Sequence, residues 1–430
     1  MLSDLHDPAS QAYKKARRQY LKATKHRDPA LEADWTPFRA AEKRFKARFP
    51  PPDLSNVLDL ALLDPARGPE IERGTWRGAV QPGWSSSLNT EPGTVYSIPR
   101  VPGLVILPNF VAPRHQRHLI RWALSDHAKL PNETNLDTHY HLPPSGIWNT
   151  YLDDKGNLGQ PTMVQPKAIS AASVDTTPPG PRQLINNVPA SPATLQSISN
   201  EPKEPQPPSA TIQPATPEEL VPKLRWANIG WFYHWGTKQY DFTQGPGHIR
   251  DDVRRLCKDA VASVDWAQVF DEEHSADWGE QEPDWRSWKE TYEPDAGIVN
   301  FYQIKDTLMA HVDRSEVCAT SPLVSISLGN AAIFLIGGVT RDEDPVPILL
   351  RSGDVVIMSG PGCRRAYHGV PRILEGTMPP HFDSDPDGEE WKLYSDYMHS
   401  TRINVNVRQV FPKGFDPTTT ISSVSPSAQG

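Results

Sequence analysis

Cysteine is scarce: the 430 residues hold three, Cys257, Cys318 and Cys363, far apart and in no C-x-x-C spacing. An odd, scattered set supports neither a disulfide framework nor a cysteine-built zinc site, and it suits a reducing compartment. Long apolar runs are missing as well. The longest, such as Leu104–Leu107 and Ala331–Ile336, are strand-sized, so no membrane span is expected. The amino end, MLSDLHDPAS, has no apolar signal-peptide core, and its early Asp4 and Asp7 are unusual for a mitochondrial transit segment. Nucleus and cytoplasm are the expected compartments, with the mitochondrion left open. Positive charge is not in excess either: the formal net charge is -8, which argues against indiscriminate binding to phosphate.

What is present is proline, 45 against 27 glycines, concentrated between Pro143 and Pro222. Within it, residues 161–222 are rich in Pro, Ser, Thr, Ala and Gln and poor in aromatics, so burial cannot offset the entropy of ordering them; a disordered insert is expected there, and a disordered tail over 413–430. Residues 1–52 read as a basic helical extension ended by Pro50, Pro51 and Pro52, with Lys14, Lys15, Arg17, Arg18, Lys22 and Lys25 available for phosphate contacts. Residues 53–160 are expected to form the first part of the main folded domain, which resumes after the insert. They include a short buried strand in VPGLVILPNFVAP and a helix in RHQRHLIRWALSD.

From Lys223 to Pro412 the pattern becomes that of strands. LRWANIGWFYHW, AGIVNFY, LVSISLG, AAIFLIGG, VPILL, DVVIMSG and TRINVNVRQVF are short and apolar, separated by Gly, Asp, Pro and Ser. The expected class is mostly β with flanking helices, a sandwich or jelly roll with polar side chains inside its mouth.

The chemistry rests on MAHVDRSE and RRAYHGVPR. Side-chain direction repeats every second residue along a strand, so His311 and Asp313 point to one side. His368, from a distant strand, completes two imidazoles and one carboxylate. Such a set leaves three octahedral positions open, which suits iron(II) binding a bidentate keto acid and dioxygen. H-x-D alone is a weak signal, occurring also at His26/Asp28 and His381/Asp383. Only His311/Asp313 lies between strands with a second histidine in a suitable place. A keto-diacid also needs a cation at its far carboxylate. TRINVNVRQV supplies Arg402, Asn404, Asn406 and Arg408 at even spacing on one side of a strand, opposite Ile403, Val405 and Val407. The same row would also suit an edge strand with its polar side in water.

NFYQIKDTLMAHVDRSE, SLGNAAIFLIGG, SGDVVIMSGPGCRRAYHGVPR and RINVNVRQV, in this order and spacing, resemble the AlkB family of dioxygenases, most closely its AlkB homologue one branch. The resemblance implies a double-stranded β-helix core with His311, Asp313 and His368 on Fe(II). It implies that Asn300, Tyr302, Arg402, Asn404 and Arg408 surround the co-substrate 2-oxoglutarate, Arg402 at its distal carboxylate. LRWANIGWFYHW resembles the family's nucleotide-recognition lid, making Trp226, Trp231 and Tyr233 the expected base contacts, since aromatic faces stack on an unpaired base.

The reaction implied consumes dioxygen, converts 2-oxoglutarate to succinate and carbon dioxide, and hydroxylates an N-methyl carbon, which leaves as formaldehyde. The expected substrates are N1-methyladenosine in tRNA or N6-methyladenine in single-stranded or unpaired DNA, acted on by a monomer. A 5-methylcytosine oxidase on tRNA, a histone demethylase or hydroxylase, and a non-catalytic nucleic-acid-binding scaffold are the alternatives. Ser315, followed by Glu316, stands where bacterial repair members carry an acidic residue, a departure that favours the homologue one branch.

Overall fold

Alternation of apolar and polar residues sets the two sheets, and the helices cover what the alternation leaves apolar. The computed structural model describes residues 5–26, 28, 30–88, 95–157, 159–168, 188–270, 285–383, 389–412 and 414–415. The strands are β1 (Ser86–Ser87), β2 (Tyr96–Ser97), β3 (Leu104–Leu107), β4 (Trp226–His234), β5 (Gln239–Pro246), β6 (Ala296–Gln303), β7 (Leu308–His311), β8 (Leu323–Gly329), β9 (Ala332–Ile336), β10 (Val346–Leu350), β11 (Val355–Met358), β12 (His368–Ile373) and β13 (Thr401–Arg408).

They form a larger sheet in the order β1-β2-β3-β11-β8-β13-β6-β4-β5 and a smaller one in the order β10-β9-β12-β7. The named strand pairs are antiparallel. β6 to β9 alternate between the sheets, as do β10 to β13, with β9 and β10 joined as neighbours in the smaller one, which is the wiring of the expected jelly roll.

Along the central strand β13, the odd residues Ile403, Val405 and Val407 are wholly buried with Val299, Phe301, Val324 and Ile326. This face meets helices Pro113–Arg121 and Asp251–Ala262, whose Leu119, Ile120, Val253 and Leu256 belong to the same core. The even residues face the smaller sheet. Toward β11 that interior is apolar, with Leu323, Ile336, Ile348, Leu350 and Met358. Toward β6 and β7 it is polar, and there the candidate site lies.

Two stretches differ from expectation. Residues 188–222 of the Pro-rich insert are built into the fold, through helices Leu195–Asn200 and Pro217–Leu220. Leu195 and Leu220 are fully buried, Leu195 against Trp231, Tyr240 and Phe242. A few well-placed aliphatic residues outweigh a composition that, averaged over 62 residues, looks too polar to order. Residues 169–187 of that insert lie outside the described residues, as do residues 413 and 416–430 of the tail.

The other difference is at the amino end. Helix Gln11–Thr24 buries nothing, as a basic extension would. Helix Pro37–Lys46, in contrast, belongs to the core. Its Phe38 and Phe45 are fully buried with Ala310, Ile333, Leu335 and Leu349. Their four-and-seven spacing with Glu42 makes a single inward face. Thr36 caps the helix, accepting from the Arg39 N–H, and Lys43, Arg44 and Lys46 complement the dipole of its last turn.

Candidate metal and keto-acid centre

His311 closes β7 and His368 opens β12, and the two are directly opposite across this antiparallel pair. Their ring centroids lie 4.4 Å apart. Asp313 follows two residues later, its Oδ1 3.7 Å from His311 Nε2. One ligand atom from each of the three falls within 4.8 Å of the others, and no other such group of three occurs among the described residues.

The protonation pattern follows from the backbone. His311 Nδ1 lies 3.0 Å from the Met309 carbonyl oxygen and His368 Nδ1 3.0 Å from that of Ala366. A carbonyl can only accept, so each Nδ1 carries the proton and each Nε2 presents its lone pair to the centre. Burial, then the neighbouring His311, pushes His368 down to about 4, which keeps its imidazole neutral. For Asp313, burial alone would raise the carboxyl. Arg408, the two histidines and Arg364 together outweigh it and hold the carboxyl well below the usual carboxylate range. Two imidazole nitrogens and a carboxylate form the mixed N/O donor set that a divalent first-row metal such as iron(II) takes.

The second part of the site is on the larger sheet. β13 lies between β6 and β8 and sets Arg402 opposite Tyr302, and Asn404 opposite both Asn300 and Ser327. Directly opposed residues share a face, so these side chains form one polar patch.

Arg402 is 2% exposed. Its Nη2 donates to Ser327 Oγ at 2.7 Å and its Nη1 to the Asn330 carbonyl at 3.3 Å, while Nε has no partner. No described carboxylate pairs with it, and burial pushes its guanidinium down to about 10. A buried, uncompensated cation is costly in a native fold unless a ligand completes it. A dicarboxylate fits that requirement.

Asn404 donates from Nδ2 to Ser325 Oγ at 2.8 Å and to the Ile326 carbonyl at 3.0 Å, so it braces β13 on β8. Arg408 links the two halves. It donates from Nη1 to Asp313 Oδ2 at 3.0 Å and to Glu316, and from Nη2 to Asn406 Oδ1.

Glu316, Arg364 and Arg365 escape a reading of the sequence. Glu316 is 1% exposed and lies between Arg408 and Arg364, and Arg365 donates to the Asp313 carbonyl. Their one visible signal is an acid and two arginines flanking the metal motifs in MAHVDRSE and GPGCRRAYHG.

The aromatic residues of β4 separate. Trp226 is opposite Asn300 and stacks on Trp235 at 4.8 Å, and Tyr233 meets Trp235 edge-on at 5.0 Å. Trp235, 37% exposed, is the residue of this cluster that motif reasoning missed. Trp231, expected in the base pocket, is instead 4% exposed in the core, edge-on to Phe242 and Phe411. The reason is local. Gly230 takes φ +64, where a Cβ would collide with the Asp295 carbonyl, and the β4–β5 register shifts between Trp231 and Phe232.

Of the competing H-x-D pairs, His26 and Asp28 are exposed, and His381 hydrogen-bonds Gln116.

A family model described as the 2OG-Fe(II) oxygenase superfamily matches residues 183–408. "tRNA demethylase abh1" of Schizosaccharomyces pombe is 31% identical, over 87% of this chain and 96% of that protein. "DNA N(6)-methyladenine demethylase ALKBH1A" of Arabidopsis thaliana is 29% identical, over 88% and 97%. The human protein named "Nucleic acid dioxygenase ALKBH1" is 26% identical, over 83% and 79%. The solved structure titled "The structure of OsALKBH1" is 20% identical, covering 72% of this chain and 97% of that one, with a TM-score of 0.34. With a family model spanning more than half its length and a 31% identical relative along nearly all of it, the chain belongs to the 2OG-Fe(II) oxygenase superfamily, in its AlkB branch.

Proposed function

We propose that the protein is an Fe(II)- and 2-oxoglutarate-dependent dioxygenase that oxidatively demethylates nucleic acid bases, N1-methyladenosine in tRNA or N6-methyladenine in unpaired DNA. The observation that carries this is the pairing of His311, Asp313 and His368 with an uncompensated buried guanidinium at Arg402. Relatives named as tRNA and DNA N(6)-methyladenine demethylases support the nucleic acid substrate.

In this reading Nε2 of His311 and His368 and the Asp313 carboxylate hold the metal. Iron(II), with 2-oxoglutarate and dioxygen, supplies the oxidation of a C–H bond, the keto acid leaving as succinate and carbon dioxide. Arg402 would pair with the distal carboxylate of the keto acid, and Asn300 and Tyr302, on the adjoining strand, would give it polar neighbours. Arg408 keeps Asp313 ionised and fixes its direction by joining it to Glu316.

Trp226, Trp235 and Tyr233 offer aromatic faces to a base taken out of its stack. Methyl oxidation yields a hemiaminal, which releases formaldehyde and the unmodified base.

The test is formaldehyde and succinate release by the purified protein on an N1-methyladenosine tRNA stem-loop, a single-stranded N6-methyladenine DNA and a methylated histone peptide. Turnover of either oligonucleotide, abolished in His311→Ala, is expected. Turnover of the peptide alone would end the nucleic acid reading.

A further inference from the structure

The strand that carries His311 is a short edge strand of its sheet. β7 has four residues, lies at the outer edge, and pairs with β12 through an irregular register between His368 and Val370. Its stiffness has to come from elsewhere, because an unsupported edge strand frays.

Helix Pro37–Lys46 supplies the support. Glu42, in the middle of the helix's apolar face, is 4% exposed, and its Oε1 accepts from the Ala310 N–H at 2.6 Å. Arg39 holds the other oxygen, with Nη1 3.1 Å from Glu42 Oε2. The Ala310 carbonyl accepts from Arg341 Nη2 at 3.1 Å, and Phe38 N donates to the Arg341 carbonyl at 3.2 Å. Two side chains thus serve the backbone of Ala310 as a neighbouring strand would. The far end of the helix is tied to β12, since Arg372 Nη1 donates to the Ala47 carbonyl at 2.6 Å. One helix therefore holds both histidine-bearing strands.

We propose that Glu42 is a positioning residue of the metal centre, acting through Ala310 to set His311; this rests on the reading that His311, Asp313 and His368 hold the metal. A carboxylate in an apolar stripe is not needed for packing, since Phe38 and Phe45 already fill the core. What it does is take up an N–H one residue before a ligand. Without that acceptor the N–H is orphaned in the interior, and the strand shifts to find another, carrying His311 with it.

Equilibrium Co(II) binding to the metal-free full chain tests this, read by the visible absorption of the bound ion and by thermal denaturation. Glu42→Ala is expected to bind Co(II) about tenfold to a hundredfold more weakly with altered bands. Glu42→Gln, whose amide oxygen can still accept from Ala310, is expected to keep the wild-type spectrum and an affinity within about twofold of wild type. A folded Glu42→Ala protein with wild-type affinity and bands overturns the inference, and so does an equal loss in Glu42→Gln. If Glu42→Ala does not fold, Glu42→Asp takes its place. Withdrawal of the carboxylate by one methylene should weaken binding, and wild-type behaviour overturns the proposal. Undiminished Co(II) binding by Asp313→Ala would instead sink the underlying assignment of the ligands.

Discussion

Replacing Arg402 with leucine should move stability and ligand binding in opposite directions. Burial holds the guanidinium down at about 10 from an ordinary 12.5. A lowered value for a base means that the folded state resists its charge. That cost is complete at neutral pH and disappears only as pH rises through 10 toward 12.5. It amounts to about 3 kcal/mol. Leucine removes this cost and also the hydrogen bonds to Ser327 and Asn330, each contributing about 1 kcal/mol. The ligand-free variant should therefore be about 1 kcal/mol more stable, with Tm up by roughly 2 °C.

Co-substrate binding should fall steeply. Breaking a buried charge pair costs about 3–5 kcal/mol, or roughly 100- to 1,000-fold or more in Kd. Calorimetric titration of 2-oxoglutarate into the Mn(II)-loaded proteins without turnover gives the affinity, and melting curves with and without the keto acid give the stability. At a hundred times its Kd the keto acid adds about 2.7 kcal/mol to the wild type, so the order of the two Tm values should invert when it is added. An Arg402→Leu protein that binds within tenfold of wild type refutes the reasoning. A ligand-free variant destabilised by more than about 2 kcal/mol does so equally.

Asp313→Asn removes the anionic ligand while Arg408 keeps Glu316 as its charge partner, so Mn(II) binding should be lost by calorimetry while the fold persists by circular dichroism. Trp226→Ala should raise KM for a methylated oligonucleotide with little change in Tm. Trp231→Ala should cost about 3–5 kcal/mol of stability, measured by denaturant unfolding, because it opens a cavity between Phe242 and Phe411. Deleting residues 1–27 should leave a folded protein whose nucleic acid binding is less salt-dependent, by filter binding across a salt series. Deleting residues 1–52 should leave little folded protein, since Phe38 and Phe45 go with it.

Much of the site could be read from the chain because strands impose a period of two. The even row from Arg402 to Arg408 is inward for this reason, whereas β7 ends at His311, so Asp313 is brought beside it by the segment after the strand and not by the strand period. The strands themselves were legible where apolar residues crowd between turns, and β6, β8, β9, β10, β11 and β13 fall on the expected segments. Period alone misleads where the backbone breaks it. Gly230 and the register shift beside it send Trp231 into the core, although its neighbours in sequence stay near the mouth.

Composition misleads in a second way. Pro-rich residues 188–222 look unable to order when averaged, and the basic amino end reads as a helical extension apart from the core, yet Leu195, Leu220, Phe38 and Phe45 each find a hydrophobic niche made by distant strands.

By its own pattern, then, the sequence determined most of the longer strands, the two candidate ligand motifs and the arginine row, because these depend on local periodicity and on residue chemistry. Only the tertiary structure decided that His311 and His368 are cross-strand neighbours and that Arg402 is buried with no acid among the described residues paired to it. It also decided that Glu42, some 270 residues before the metal motif, holds the edge strand. Those facts depend on which strands pair and which helix packs on them, and contacts between distant segments leave no period in the chain to read.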